Sequence, residues 1–161
     1  LQNKYQIKKV AIIDFDVHHG NGTQEIFYND NSIAYASAHE FPLFPGTGAE
    51  DETGVGNIFN APIKSGTEGT EYLKIFENKI IQPLDKFKPE VILISAGFDA
   101  HFRDPLANIN LESSDYFKIT KKITKLANTH SKGRIISFFE GGYDLQALSE
   151  SIKEHLIALN K

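Results

Sequence analysis

Cysteine, methionine and tryptophan are all absent from the 161 residues. Without cysteine there is no disulfide framework and no thiolate metal site, so any metal must be held by Asp, Glu and His. No apolar run approaches a membrane span, and no signal peptide is visible. These absences predict a soluble protein of a reducing compartment, the cytoplasm. Basic clustering is missing too: 17 Lys and Arg are scattered among 21 Asp and Glu, for a net charge of -4. A duplex-binding surface announces itself as a basic patch, so nucleic acid is disfavoured as a partner. What remains is 40% hydrophobic and 24% charged, the make-up of one globular domain with a real core. The chain begins at Leu1 and runs almost at once into a core-type strand, which reads as a piece of a longer protein.

The most informative stretch is residues 12–23. A hydrophobic strand at 10–13 breaks into charge at Asp14-Phe15-Asp16-Val17-His18-His19, and then into Gly20-Asn21-Gly22. Alternate side chains of an extended chain share a face. Asp14, Asp16 and His18 therefore project one way, while Ile13, Phe15 and Val17 project into a core. Three polar groups on one face of an apolar strand are costly unless something pairs with them, and a divalent cation is the natural candidate. Zinc accepts carboxylate oxygen and imidazole nitrogen in a tetrahedral site.

Along the chain, residues 23–28 read as a short helix and 33–38 as a second buried strand ending in His39-Glu40. The loop at 41–48 spends two phenylalanines, Phe41 and Phe44, either as a small cluster under the loop or as a substrate wall. Residues 57–63 form a short strand that Pro62 confines to an edge or an end. The spacing of Tyr72, Ile75, Phe76, Ile80, Leu84 and Phe87 predicts a helix kinked or split at Pro83. Residues 91–96 are a continuous apolar strand running into Gly97-Phe98-Asp99. A helix N-capped by Ser113 or Ser114 follows, then a strand at 134–139 ending in Glu140-Gly141-Gly142-Tyr143, and an amphipathic helix to Leu159. His130 and His155 are expected in solvent, and His39 and His101 lie near the expected crevice.

Strands alternating with helices imply a three-layer α/β/α domain with a mainly parallel central sheet. In such sheets the functional crevice lies beyond the strands' carboxyl ends. The turns at Asp14/Asp16/His18, at Asp99 and at Gly141-Gly142-Tyr143 would open onto one edge. Asp99 would then complete an Asp/His/Asp zinc set with a fourth position left for water, the mark of a catalytic zinc. Tyr143, presented by two glycines, would donate its hydroxyl to a tetrahedral oxyanion.

With these turns in view the sequence closely resembles the zinc-dependent deacetylases, a superfamily of histone deacetylases, acetoin-utilisation proteins and acetylpolyamine amidohydrolases. The resemblance rests on Asp14-Phe15-Asp16-Val17-His18-His19-Gly20-Asn21-Gly22-Thr23, Phe44-Pro45-Gly46-Thr47-Gly48, Ser95-Ala96-Gly97-Phe98-Asp99-Ala100-His101 with Asp104-Pro105-Leu106, and Glu140-Gly141-Gly142-Tyr143. Asn21 gives the set a class II or bacterial flavour. The resemblance implies the arginase/deacetylase fold with its N-terminal part missing, residues 1–161 forming the C-terminal portion of one domain. It implies Asp16, His18 and Asp99 as zinc ligands and Tyr143 as oxyanion donor. Asp14 would orient one histidine of a tandem pair, and Asn21 would sit behind the other. Phe44 and Gly142 would contact the substrate, acetyl-lysine or an acetylated polyamine. One potassium ion would use Asp14, Asp16, His18, Ser37 and Ala38, and a second the backbone carbonyls around Phe27. Oxygen-rich sites of this kind suit a hard cation.

The tandem-histidine base of that family lies upstream in a glycine-rich segment, and nothing like it stands here; His18-His19 is not that pair. The 161 residues alone are therefore expected to bind zinc weakly and to be nearly inactive. Two other readings compete: a two-manganese ureohydrolase, for which the carboxylates are too few, and a non-catalytic interaction domain.

Overall fold

The strands follow from short apolar runs, and the computed structural model describes residues 1–160. In chain order the elements are α1 (Gln2–Tyr5), β1 (Val10–Asp14), α2 (Asn21–Phe27), β2 (Ile33–Glu40), β3 (Ile58–Ile63), α3 (Gly69–Phe76), α4 (Gln82–Phe87), β4 (Val91–Ala96), α5 (Ser113–His130), β5 (Ile135–Phe139) and α6 (Leu145–Leu159). The five strands form one sheet in the order β3-β2-β1-β4-β5, every pair parallel. The fold class is the α/β arrangement that the strand–helix alternation implies. β1 sits at the centre because it is apolar on both faces, all five of its residues being buried.

One face carries Ala11, Ile13, Ala34, Ala36, Ala38, Ile92 and Ile94. The small residues of β2 let helices come close, and Tyr72, Phe76, Leu84, Tyr116, Ile119 and Ile123 fill this side. The other face changes character along the strands. Its N-terminal half is apolar, with Val10, Ile12, Ile33, Tyr35, Ile58 and Val91 packed together. Its C-terminal half is polar: Asp14 pairs in register with Ser37 on one side and Ser95 on the other, and Ser37 with Asn60. That switch puts the polar ends of several strands at one rim of the sheet.

Several expectations are corrected in detail. β1 stops at Asp14, and residues 15–18 are an extended bend held by Phe15 N–H to Ser95 O (3.1 Å) and Glu40 N–H to Val17 O (2.9 Å). The alternation survives the end of the strand, because Phe15 and Val17 still enter the core. The helix is split just ahead of Pro83, with α3 ending at Phe76 and α4 carrying the proline in its first turn. It widens beforehand into a π-turn at Glu77–Ile81, where the missing proline N–H leaves the helical ladder to reorganise. The N-cap of α5 is Glu112, not a serine; its backbone N–H donates to Asp115 Oδ2 at 3.0 Å, so an acid three residues on satisfies the helix start. β3 is an edge strand, as Pro62 requires, and β5 is the other edge, with Ile136, Phe138 and Phe139 exposed.

His155 is not solvated, and His130 is partly buried. His130 Nε2 lies 2.8 Å from Asp85. His155 is buried against Phe15 and Phe98. Thr120 donates to Tyr116 O at 2.7 Å, so its oxygen accepts from His155 Nδ1 (2.7 Å), and the Ser137 hydroxyl donates to Nε2 (3.0 Å). Burial pushes this imidazole down to about 4. A histidine depressed in the folded state costs nothing above pH 6.5, where both states are neutral. Below that the unfolded chain takes the proton first, so stability falls from pH 6.5 to about pH 4 and then levels. The expected loss is about 2–3 kcal/mol across that window. Denaturant midpoints at pH 7 and pH 4.5 check it: His155→Gln should lose less over the interval than the native sequence.

Candidate metal centre

Three elements deliver the candidate ligands: the bend after β1 (Asp16, His18), the turn after β4 (Asp99), and the glycine pair after β5 that closes over them. One ligand atom from each of Asp16, His18 and Asp99 lies within 4.8 Å of the others, the one such group among the described residues. His18 Nδ1 faces both carboxylates, at 3.0 Å from Asp16 Oδ1 and 3.2 Å from Asp99 Oδ2. Ligands at ~2.0–2.2 Å from a tetrahedral centre are about 3.3–3.6 Å apart, so these three side chains would open by a few tenths of an ångström around a zinc ion.

Each ligand is fixed by its other atoms. Asp99 Oδ1 accepts the Val17 N–H at 2.8 Å, while Oδ2 is buried with no hydrogen-bond partner. Asp16 Oδ1 accepts the His18 N–H at 2.9 Å, and Oδ2 accepts the Gly141 N–H at 3.0 Å. A Cβ on Gly141 would fall 2.3 Å from Asp99 Oδ2 and 2.7 Å from Asp16 Oδ2, so only glycine lets this backbone donor reach the ligands. The Asp99 carboxylate, and behind it Asp16, push His18 up to about 9 against the effect of burial. Burial pushes Asp99 up. A cluster that raises its own proton affinity in this way is an anionic pocket, and a dication in place of the proton would neutralise it.

Asp14 is buried behind the ligands. Its Oδ1 accepts the Asp16 N–H at 3.1 Å and its Oδ2 accepts the Tyr35 hydroxyl at 2.9 Å. Burial, then the Asp16 charge, push Asp14 up to about 8. Ser37 stands beside Asp14 in register, its hydroxyl 2.9 Å from His39 Nδ1, and Ala38 O is 3.4 Å from the Tyr72 hydroxyl. Asn21 is exposed at the first position of α2. Phe44 is 78% exposed and Tyr143 53%, so both rings are available to a ligand. Gly142 has φ +142°, and a Cβ there would meet Leu148 at 2.7 Å. The Phe27 carbonyl takes part in a separate cluster on the far side of α2.

Sequence reasoning missed two supports of this site. Asp104 Oδ2 accepts the Tyr143 N–H at 2.9 Å, tethering the tyrosine across 39 residues. The loop bearing Phe44 is pinned by His19, which bridges Thr47 (2.8 Å) and Gln24 (3.0 Å), and by Glu52, which accepts from Gln24, Gly48 and Ala49. His39 joins that group through Gly48 O at 3.0 Å, whereas His101 bonds to Arg103 N and Ser113, away from the ligands. Asp104 follows Asp99 in one motif, which was the available signal; the loop network left none.

A parallel sheet with helices on both faces, and a cluster of candidate metal ligands at the carboxyl ends of its strands, defines an α/β/α domain of the arginase/deacetylase type. Residues 1–159 match the histone deacetylase domain model, and the chain belongs to the histone deacetylase family. It is 40% identical over 162 residues to histone deacetylase 14, chloroplastic, of Arabidopsis thaliana, covering 98% of this chain and 38% of that protein. It is 39% identical to a probable deacetylase of Archaeoglobus fulgidus, covering 89% and 41%. Among solved structures it superimposes on the HDA15 HD domain with TM-score 0.89 and 36% identity, covering 96% of this chain and 45% of that one. The histone deacetylase Clr3 gives TM-score 0.91 at 29% identity, over 98% and 28%. The chain thus spans less than half the length of these relatives.

Proposed function

We propose that the intact protein is a zinc-dependent deacetylase that hydrolyses an N-acetyl amide, with Asp16, His18 and Asp99 holding the metal. The observation that carries this reading is Asp99 Oδ2: fully buried, without a hydrogen bond, and 3.2 Å from His18 Nδ1. A buried carboxylate oxygen approached by nothing but an imidazole nitrogen costs several kcal/mol unless a cation meets it. When bound, zinc supplies Lewis acidity that polarises the acyl carbonyl and acidifies water.

The chain's own residues do the rest. Tyr143 donates its hydroxyl to the oxyanion, and Asp104 with Gly141 and Gly142 holds it at the rim. Phe44 forms one wall for the acyl chain. Asp14 and Asn21 orient the histidine base of the upstream segment. A potassium ion at Asp14, Asp16, His18, Ser37 and Ala38 would firm the back of the site. The substrate is an acetylated lysine or a small acetylated amine.

No histidine base stands beside the candidate ligands among the described residues. The five other histidines are each held elsewhere, by Thr47 and Gln24, Ser37 and Gly48, Ser113, Asp85, and Thr120 and Ser137 respectively. The chain alone should therefore turn over ~10²–10⁴-fold more slowly than the intact protein. Acetate release from an acetyl-lysine peptide and from acetylputrescine, before and after chelation and on adding back zinc, tests the reading. Turnover that survives complete removal of zinc, or that needs two manganese ions per chain, would overturn it.

A further inference from the structure

Three backbone carbonyls at the back of α2 converge on one side-chain nitrogen. Asn57 Nδ2 lies 2.8 Å from Phe27 O, 3.0 Å from Asp30 O and 2.9 Å from Ile33 O. Its orientation is fixed, because Asn57 Oδ1 accepts the Val55 N–H at 3.2 Å and so must be the oxygen. Asn57 is 2% exposed, and its own carbonyl accepts the Tyr35 N–H at 3.0 Å. Gly54 closes the same clamp, since a Cβ there would fall 2.5 Å from Tyr28 O and 2.7 Å from Asn57 Oδ1.

The deacetylase resemblance offers the carbonyls around Phe27 to a second potassium ion, and this cluster does not fit one. Three carbonyl oxygens facing one point need a positive centre, because their dipoles otherwise repel in a buried space. An amide nitrogen supplies two N–H groups, each polarised toward the oxygens, at no cost in ion desolvation. A nitrogen at the focus of the cage also excludes a bare cation sterically.

We propose that Asn57 replaces the second potassium ion: its amide is a built-in, uncharged substitute that makes the clamp between α2, the turn at 30–33 and β3 independent of monovalent cations. The clamp matters to the site because it seats the start of β2, from which the Tyr35 hydroxyl reaches Asp14 (2.9 Å) and the Gly20 N–H (3.0 Å). The inference stands apart from the zinc reading and survives if that reading fails.

Rubidium is the probe. In crystals of the intact protein grown with rubidium in place of potassium, the anomalous map should show no rubidium among the carbonyls of Phe27, Asp30 and Ile33. In Asn57→Ala the cage is opened, and a rubidium peak should appear there. Asn57→Asp keeps the shape but turns a carboxylate oxygen toward three carbonyls, so it should demand a cation. Its melting temperature should rise by about 5 °C more than that of the native sequence on exchanging choline chloride for potassium chloride. A rubidium peak at the cage in the native protein overturns the proposal. So does a folded Asn57→Ala with no peak together with an Asn57→Asp whose potassium response equals the native one. Should neither variant fold, the native rubidium map decides alone.

Discussion

Asp99→Asn is expected to leave a folded protein that has lost zinc and, with it, all measurable turnover. The substitution preserves outline, and the amide oxygen still accepts the Val17 N–H that Asp99 Oδ1 holds at 2.8 Å. What changes is the other atom. A buried oxygen with no hydrogen bond becomes an NH₂, which offers protons where the cluster needs a lone pair. Of the three candidate ligands Asp99 is the one wholly sealed from water, so no solvent oxygen takes its place. Zinc affinity should fall by at least ~10²-fold, since even loss of an outer partner of a ligand typically costs 10–100-fold. The native protein should melt several degrees higher with zinc than without, by mass action on the folded state. The variant should show no such rise while keeping native circular dichroism. Zinc per chain by elemental analysis, read beside the melting curves, checks both halves. Full zinc occupancy in Asp99→Asn would remove Asp99 from the ligand set.

The convergence of the candidate ligands was legible because it rests on local rules. Period-two alternation put Asp14, Asp16 and His18 opposite Phe15 and Val17, and the apolar run before Asp99 marked a second strand ending at the same rim. Parallel topology then required the two turns to meet, and the structure brings Asp16, His18 and Asp99 together. What escaped was set by partners distant in sequence. The Asn57 amide reaches back 24 to 30 residues to three carbonyls, and the Asp104 carboxylate forward 39 to a backbone N–H. A backbone acceptor leaves no mark in composition or spacing. His155 was misread for a related reason: an imidazole on a polar-looking stretch of α6 is buried because Thr120 and Ser137, from two other elements, satisfy both of its nitrogens. The π-turn at Glu77–Ile81 shows the same limit, since Pro83 announces a defect but not where the helix will absorb it.

Tyr143→Phe should lower kcat by ~10²–10³-fold and leave zinc content unchanged. The ring stands on a backbone fixed from both sides. The Gly141 N–H is given to Asp16 Oδ2 (3.0 Å), and the Tyr143 N–H to Asp104 Oδ2 (2.9 Å). Gly142 between them takes φ +142°, a conformation that a side chain rarely adopts, and this lets the chain turn its aromatic ring out at the rim. The ring is half exposed, so losing its hydroxyl should not disturb a metal held by Asp16, His18 and Asp99. Burial, and behind it the Asp99 carboxylate, push the phenol above its ordinary range. The hydroxyl is therefore protonated at neutral pH and able to donate. A donor placed for charge that develops during reaction acts on the transition state more than on the bound substrate, so kcat should fall with little change in KM. Steady-state acetate release with parallel zinc analysis separates this from a structural effect. If Tyr143→Phe turns over at the native rate, the oxyanion is stabilised by some other group and Tyr143 has no part in the chemistry.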